Sequence, residues 1–322
     1  MRIRSRLVAL LLSACVPSMA HAHEVFVSNE KDNTVSVVDT EQMQVVRTLR
    51  VGHRPRGLKL SADGAHIFLC ASDSNAIQIF DAHTYEHLFD IEDIDDPEQL
   101  AVASDGRRLY TANEDSATVT AIDVASRQVV GRVDVGVEPE GIAVSPDGTI
   151  VAVTSETSNM VHFIDAAKLE VVHNVLVGAR PRHAEFSADG RKLWVSSEIA
   201  GSVTVIDVAT RSIDRTITFD VPGVTEDLVT PVGIQLTKDG KKAFVALGMA
   251  NRVAVVDAQS GAVQKYILVG MRVWHLELTR GDALLVTTNG ASNDITLVDV
   301  EKLSAVKSIQ VGRYPWGAAA RP

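Results

Sequence analysis

The sequence is short of cysteine, of excess positive charge and of the signatures of common enzyme sites, and each shortage excludes something. Two cysteines, Cys15 and Cys70, in 322 residues rule out a disulfide framework, a four-cysteine zinc site and a Cys-x-x-Cys-His haem attachment. Lys and Arg total 31 against 41 Asp and Glu, a formal charge of −10. A chain this acidic lacks the basic footprint that phosphate-backbone binding requires, so no nucleic-acid partner is expected. There is no Gly-x-Ser-x-Gly elbow and no P-loop. What is present is apolar: 46% hydrophobic and 22% charged residues specify a folded core and argue against disorder.

Residues 1–22 read as an export signal. Arg2, Arg4 and Arg6 precede the apolar run Leu7 to Ala14, and the small-residue site Ala20-His21-Ala22 follows. The run is too short to span a bilayer as a retained helix, so no transmembrane segment is expected in the mature chain. Cleavage after Ala22 leaves a chain starting at His23 and predicts a periplasmic location. A minor alternative is lipid anchoring at Cys15, because Leu12-Ser13-Ala14-Cys15 has the form of a lipoprotein box. Cleavage removes three arginines and no acids from a charge of −10, leaving −13. Cys70 is then the sole cysteine, expected as a buried small hydrophobe on a strand.

Self-similarity decides the fold. A strand ending in Asp recurs at Asp39, Asp81, Asp123, Asp165, Asp207, Asp257 and Asp299, with steps of 42, 42, 42, 42, 50 and 42 residues. A proline keeps the same step at Pro55, Pro97, Pro139, Pro181, Pro231 and Pro315, with Val273 in the missing place. Asp-Gly recurs at Asp63, Asp105, Asp147, Asp189 and Asp239, inverted to Gly281-Asp282 in the sixth repeat. Seven repeats of 42, with eight extra residues before Asp257, account for essentially all 300 residues after Ala22. The expected organisation is a signal over 1–22 and a single domain over 23–322.

Within a repeat, period-two alternation marks four short strands, as at Val25–Asn29, Thr34–Val38, Val45–Val51 and Leu58–Leu60, separated by Asn, Gly, Asp and Pro turns. Four strands in about 40 residues form one blade of a β-propeller. The sequence thus predicts an all-β, seven-bladed propeller of four-stranded blades. The mature chain opens on the second strand of a blade and ends on Gly317 to Ala320, in the place of an innermost strand. The two termini should share one blade, which closes the ring. The recurring Asp before each turn is assigned to local backbone N–H groups. Asn33, Asn75, Asn159, Gly201, Asn251 and Asn293 share a column suited to left-handed backbone.

Val25–Asn29, Leu109–Asn113 and Leu285–Asn289 (VFVSN, LYTAN, LVTTN) resemble the YVTN family of β-propeller repeats, as do the Val-Gly pairs at 51–52, 135–136, 177–178, 269–270 and 311–312. The likeness runs through the whole mature chain. SNEKDNTVSVVD (28–39), VGVEPEGIAVSPDG (135–148), ARPRHAEFSADG (179–190), KLWVSSE (192–198) and VGRYPWG (311–317) look like the PQQ-dependent catabolism-associated β-propeller proteins. That resemblance implies an exported protein keeping company with alcohol oxidation through pyrroloquinoline quinone (PQQ) enzymes. It implies candidate partners, a periplasmic quinoprotein dehydrogenase or its electron acceptor. It establishes no reaction. The tryptophan docking motif and adjacent cysteine pair of catalytic PQQ propellers are missing, which argues against the dehydrogenase itself. The repeat is broken by Glu92-Asp93 in place of Val-Gly, by Val273, and by an insertion within Phe219–Pro231, a candidate flap.

The proline loops and the middle hairpin loops should ring one mouth of the channel. Around the prolines stand His53, Arg54, Arg56, Asp96, Glu98, Glu138, Glu140, Arg180, Arg182, His183, Thr230, Val232, Arg272, Trp274, His275, Arg313, Tyr314 and Trp316; the hairpins add Glu30, Glu114, Glu156 and Glu198. Two accounts of this charge compete. Arginines and glutamates can pair and merely solvate the rim. Alternatively Arg54, Arg56, Arg180, Arg182, Arg272 and Arg313 form a positive funnel for a small planar anion, with Trp274, Tyr314 and Trp316 as stacking surfaces. PQQ fits that description, although no cofactor is required. One constellation is more particular. His183 and Glu185, and His275 and Glu277, hold the same column in repeats four and six, and could together ligate a metal. The expectation is a non-catalytic binding or accessory protein docking a small anionic ligand or a periplasmic partner through Arg54, Arg56, Arg180, Arg182, His183, Arg272, Trp274, His275, Arg313, Tyr314 and Trp316. The enzymatic alternative is a metal-dependent, lactonase-like hydrolase.

Overall fold

The computed structural model describes residues 23–321. The export signal, its cleavage site and Cys15 lie outside the described residues. Twenty-eight strands, numbered β1 to β28 in chain order, form seven four-stranded antiparallel sheets. The architecture is the expected seven-bladed propeller. Among the described residues the sole helical elements are three single 3₁₀ turns, at Ser72–Ser74, Glu226–Leu228 and Arg280–Asp282.

Sequence pattern sets each strand's place. The first blade is β28 (Pro315–Ala320), β1 (Glu24–Asn29), β2 (Thr34–Asp39) and β3 (Gln44–Arg50), in that order outward. The run EVFVSN of β1 is buried along its whole length, because neighbouring blades cover both of its faces. In β3 only Leu49 is fully buried, which accounts for its polar character. Aliphatic layers between blades make the core: Phe26, Val35, Leu49 and Ala319 of the first blade pack on Leu58, Ile67 and Leu69 of the second. Cys70 lies fully buried on β5 (His66–Ala71), and burial pushes its thiol well above the ordinary range.

The ring closes at the termini as the repeat requires. β1 pairs antiparallel with β28, Val25 opposite Ala320 and Phe26 opposite Ala319. A buried network reinforces the seam. Arg321 Nε donates to Glu24 Oε2 at 2.9 Å and its Nη2 lies 2.8 Å from the same oxygen; it also donates to the Ala82 carbonyl, and Tyr85 OH donates to Glu24 Oε1 at 2.6 Å.

The inner strands bound the channel. They are β28, β4 (Pro55–Leu60), β8 (Pro97–Val102), β12 (Pro139–Val144), β16 (Pro181–Phe186), β20 (Ile234–Leu236) and β24 (Val273–Leu278). Five of them start on the recurring proline, which needs no ladder hydrogen bond at a first position. Just after it, the register with the next strand shifts, for example between Pro55 and Leu58, Pro97 and Leu100, and Pro181 and His183. A bulge at such a position re-aims side chains.

Candidate functional site: the charged mouth and the channel below it

Each mouth loop is built on strained backbone. The residue before the recurring position is left-handed in six repeats: Arg54, Asp96, Glu138, Arg180, Arg272 and Tyr314 have φ between 41° and 58°. Side chains with a Cβ adopt this region at a cost of about 1–2 kcal/mol. The asparagine column offsets it. Asn33, Asn75, Asn159, Asn251 and Asn293 each accept a hydrogen bond, at 2.8–3.0 Å, from the backbone N–H of the left-handed residue 21 positions on. The asparagines are themselves left-handed, as their hairpins demand. The hairpin loops also bind the proline loops directly: Glu30, Glu114, Glu156 and Glu198 donate their N–H groups to the carbonyls of Tyr314, Asp96, Glu138 and Arg180. The two sets of loops therefore share one face.

The charges on that face pair into a nearly continuous ring. Arg54 reaches Asp96, Asp73 at 2.6 Å and Glu98 at 3.2 Å. Arg56 lies 3.4 Å from Glu98 and 3.8 Å from Glu30. Across the mouth, Arg182 holds Glu156 at 2.8 Å, Glu140 at 3.0 Å and Glu198 at 3.6 Å. Arg180 holds Glu156 at 2.7 Å, and Arg272 holds Glu198 at 2.7 Å. The pairing is not that of a solvated rim: Glu98 is 1% exposed, Glu140 and Glu156 4% and Arg182 5%. Arg313, bound to Asp32 at 2.6 Å, is by contrast a surface pair, and Arg180 and Asp73 are the exposed members of their pairs.

The ring holds more acids than bases. Five guanidinium groups (Arg54, Arg56, Arg180, Arg182 and Arg272) face eight carboxyls (Glu30, Asp73, Asp96, Glu98, Glu114, Glu140, Glu156 and Glu198). Burial, then the charge of Glu98 and its hydrogen bond, pushes the Glu114 carboxyl up to about 8. Burial raises Glu140 well above the ordinary range despite Arg182, and a hydrogen bond to Glu156 keeps the proton there. Glu156 is buried too, but Glu140, Arg182 and Arg180 hold it below the usual carboxylate range. The raised Glu114 and Glu140 carboxyls reduce the acidic excess of the ring at neutral pH. Each of these arginines is ion-paired with the protein's own acids, although Arg54 Nε, Arg56 Nε and Arg182 Nε make no hydrogen bond.

The aromatic residues are layered into the same structure. Arg272 and Arg182 flank Trp274, 4.2 and 5.5 Å from its ring centre. Arg56 covers Trp316 at 5.0 Å, and His275 lies against it at 4.2 Å. Trp316 is 2% exposed, so its ring offers no open stacking surface. Tyr314, at 41%, does. Trp194, in β17 (Lys192–Ser197), packs with Phe219, Val221 and Val229 of the insertion. The insertion is thus anchored at both ends by buried side chains, while residues 222–228 between them are largely exposed.

Below the ring the channel narrows to a chamber of about 50 Å³ lined in part by Gln99, His183, His275, Trp316, Glu185 and Lys59. The column that carries its main side chains alternates in size around the ring: Gly57, Gln99, Gly141, His183, Gly233, His275, Gly317. The glycines let the inner strands meet. A Cβ on Gly141 would stand 2.7 Å from the Cα of His183, and one on Gly233 2.7 Å from the Cα of His275. The structure brings His183 and His275 together, with ring centres 5.6 Å apart, and puts Glu185 Oε2 3.8 Å from His183 Nε2. It takes Glu277 elsewhere, to Lys59 at 3.7 Å and to the backbone N–H of Ala320 at 3.3 Å. A different trio, Asp96, Glu98 and Glu114, is the cluster of three ligand atoms within 4.8 Å among the described residues. Sequence reasoning placed Glu98 and Glu114 at the mouth but did not join them, because adjacency of a hairpin glutamate to the next blade's proline loop needs the ring geometry.

Comparison with known proteins bears on fold rather than chemistry. A YNCE-like β-propeller family model matches residues 6–116, and a choice-of-anchor I domain model matches residues 98–237. These matches support a β-propeller family. No curated protein sequence matches the chain. Among solved structures it is similar to Kuenenia stuttgartiensis hydrazine synthase, with a TM-score of 0.79 and 19% identity over 87% of this chain and 93% of that one. A functionally unknown protein from Desulfotomaculum acetoxidans gives 0.80 and 13%, covering 92% and 98%. Dihydro-heme d1 dehydrogenase NirN, in complex with DHE, gives 0.66 and 16%, covering 90% of this chain and 64% of that one. At such identities the likeness is one of fold.

Proposed function

We propose that the protein is an exported, non-catalytic accessory propeller of PQQ-linked oxidation that docks a periplasmic protein on its loop face. The observation that carries docking is the exposed apolar set on those loops: Ile199 is 70% exposed, Met271 54%, and Val137, Met249 and Tyr314 stand out beside them. Large apolar side chains left in water on one face favour a protein partner. The arginine ring beneath them is neutralised internally, which weakens the case for a free polyanionic ligand such as PQQ itself. The link to PQQ-dependent oxidation rests on the sequence resemblance, and the favoured partner is a quinoprotein dehydrogenase or its electron acceptor.

The test is surface plasmon resonance between the purified protein and a purified PQQ-dependent alcohol dehydrogenase or its cytochrome acceptor. Saturable binding is expected, weakened tenfold or more by Ile199→Asp combined with Met271→Asp, a loss of about 1.4 kcal/mol or more. Binding to neither protein, or binding indifferent to the double substitution, would overturn the reading. A parallel titration of PQQ, followed by tryptophan fluorescence, should show no saturable change. Arg182 is unsuitable as a docking probe, because its removal would disturb the buried ring.

A further inference from the structure

The chamber beneath the charged ring holds polar atoms that nothing in the protein satisfies. His275 is 6% exposed and its Nε2 has no hydrogen-bond partner. Neither ring nitrogen of His183 has one, nor does Trp316 Nε1. Buried polar atoms without partners are costly, commonly by about 1–3 kcal/mol each, so their grouping around one chamber calls for an occupant. Its volume of about 50 Å³ suits an ion or a few waters.

We infer that His183 and His275 bind one divalent transition-metal ion of the zinc type inside the channel, with Glu185 as the carboxylate ligand. Geometry supports the pair. Two imidazoles on one zinc, with Zn–N near 2.0 Å and a tetrahedral angle, place their ring centres about 5 Å apart; here they are 5.6 Å apart. Glu185 stands 3.8 Å from His183 Nε2; its carboxylate and the two imidazoles do not yet converge on one point, so binding the ion requires Glu185 to move. Gln99 completes the wall, with its Nε2 3.5 Å from the Arg182 carbonyl. The charges nearby are accounted for. Lys59 is tied to Glu277, Arg182 to Glu140 and Glu156, and Arg56 to Glu98 and Glu30. Imidazole and carboxylate together select zinc-type ions over calcium or magnesium. The inference stands apart from partner docking, since the chamber lies below the loop face.

The experiment uses the mature protein, stripped with chelator, dialysed and titrated with Co²⁺ and then Zn²⁺ near neutral pH. One equivalent of Co²⁺ should bind with the visible ligand-field bands of four- or five-coordinate metal, and Zn²⁺ should displace it. His183→Gln and His275→Gln should each weaken binding by roughly a hundredfold, and Glu185→Gln by about tenfold. Glutamine is the native residue at position 99 of the same column, so the fold has precedent for it. Glu277→Gln should leave affinity unchanged. Should either histidine variant fail to fold, histidine-ring NMR of the unaltered protein gives the same answer: two of its imidazoles should shift on Zn²⁺ addition. Absence of stoichiometric binding, which would leave ordered water as the occupant, overturns the inference. So does binding retained in both histidine variants, or lost equally in Glu277→Gln.

Discussion

At the scale of single residues, Arg182 and Arg313 show how little the type of a charged residue says about its role. Both flank a recurring proline. Arg182 is surrounded by Glu140, Glu156 and Glu198, all nearly fully buried. Arg182→Met would leave those acids without their shared counter-charge and should cost about 3–5 kcal/mol in denaturant unfolding. Arg313 holds Asp32 at the surface, and Arg313→Ala should cost at most about 1 kcal/mol. A reversal of these two magnitudes would refute the buried-ring account. Glu114 gives a pH signature. Its carboxyl is pushed from 4.5 up to about 8 by burial and by Glu98. A group whose pKa rises on folding lends stability that is full below its unfolded value and is lost as pH rises through its folded value. Stability should therefore decline from about pH 5 to pH 8–9. Glu114→Gln, which fixes the neutral form, should flatten that part of the profile; equal slopes for both proteins would show that Glu114 titrates normally. The sequence disclosed which residues gather at the mouth. It did not disclose their pairing, because Arg182 meets Glu156 and Glu198 only across loops that the ring brings together.

At the scale of elements, repetition made nearly everything legible. The first three strands anticipated from alternation in the first repeat appear within a residue of their observed spans, and the fourth, expected over Leu58–Leu60, starts three residues earlier at Pro55; each Asp before a turn accepts local N–H groups, as Asp165 does from Ala167 and Lys168. The asparagine column was assigned to its own hairpin turn, which is correct and incomplete: its side chain also fixes the following blade's strained residue 21 positions on. Ala117 and Gly201 are the exceptions in that column, left-handed at φ 51° and 62° with no side-chain carbonyl to offer. Ala117→Asn should raise stability by roughly 1 kcal/mol, through easier left-handed backbone and a new bond to the N–H of Glu138; an unchanged or lower melting temperature would deny the staple its energetic role. The insertion illustrates the opposite limit. Its length was plain from the 50-residue step, but nothing in FDVPGVTEDLVTP announced that Phe219, Val221 and Val229 would bury themselves against Trp194.

At the scale of the whole molecule, stability depends on a seam between chain ends. β28 supplies the inner strand of the first blade, and Arg321 beyond it is buried against Glu24. Deleting residues 317–322 should therefore abolish cooperative unfolding of the ring, and Arg321→Met alone should cost about 3–5 kcal/mol by removing the counter-charge of the buried Glu24 carboxylate. A truncated chain that melts like the intact one would mean the first blade closes without its inner strand. The alternation of glycine with larger side chains around the channel has a further consequence at this scale. A ring of seven cannot be coloured in two alternating colours; somewhere the same colour must fall twice in succession. Here the repeated pair is Gly317 and Gly57, on the blade holding both chain ends and on its neighbour, and both glycines line the chamber. Odd parity thus leaves a gap in the wall of side chains at the seam. The hollow beside Trp316 is what an odd-numbered ring produces when its alternation runs out of partners, and a six- or eight-bladed relative with the same alternation would have no place for it.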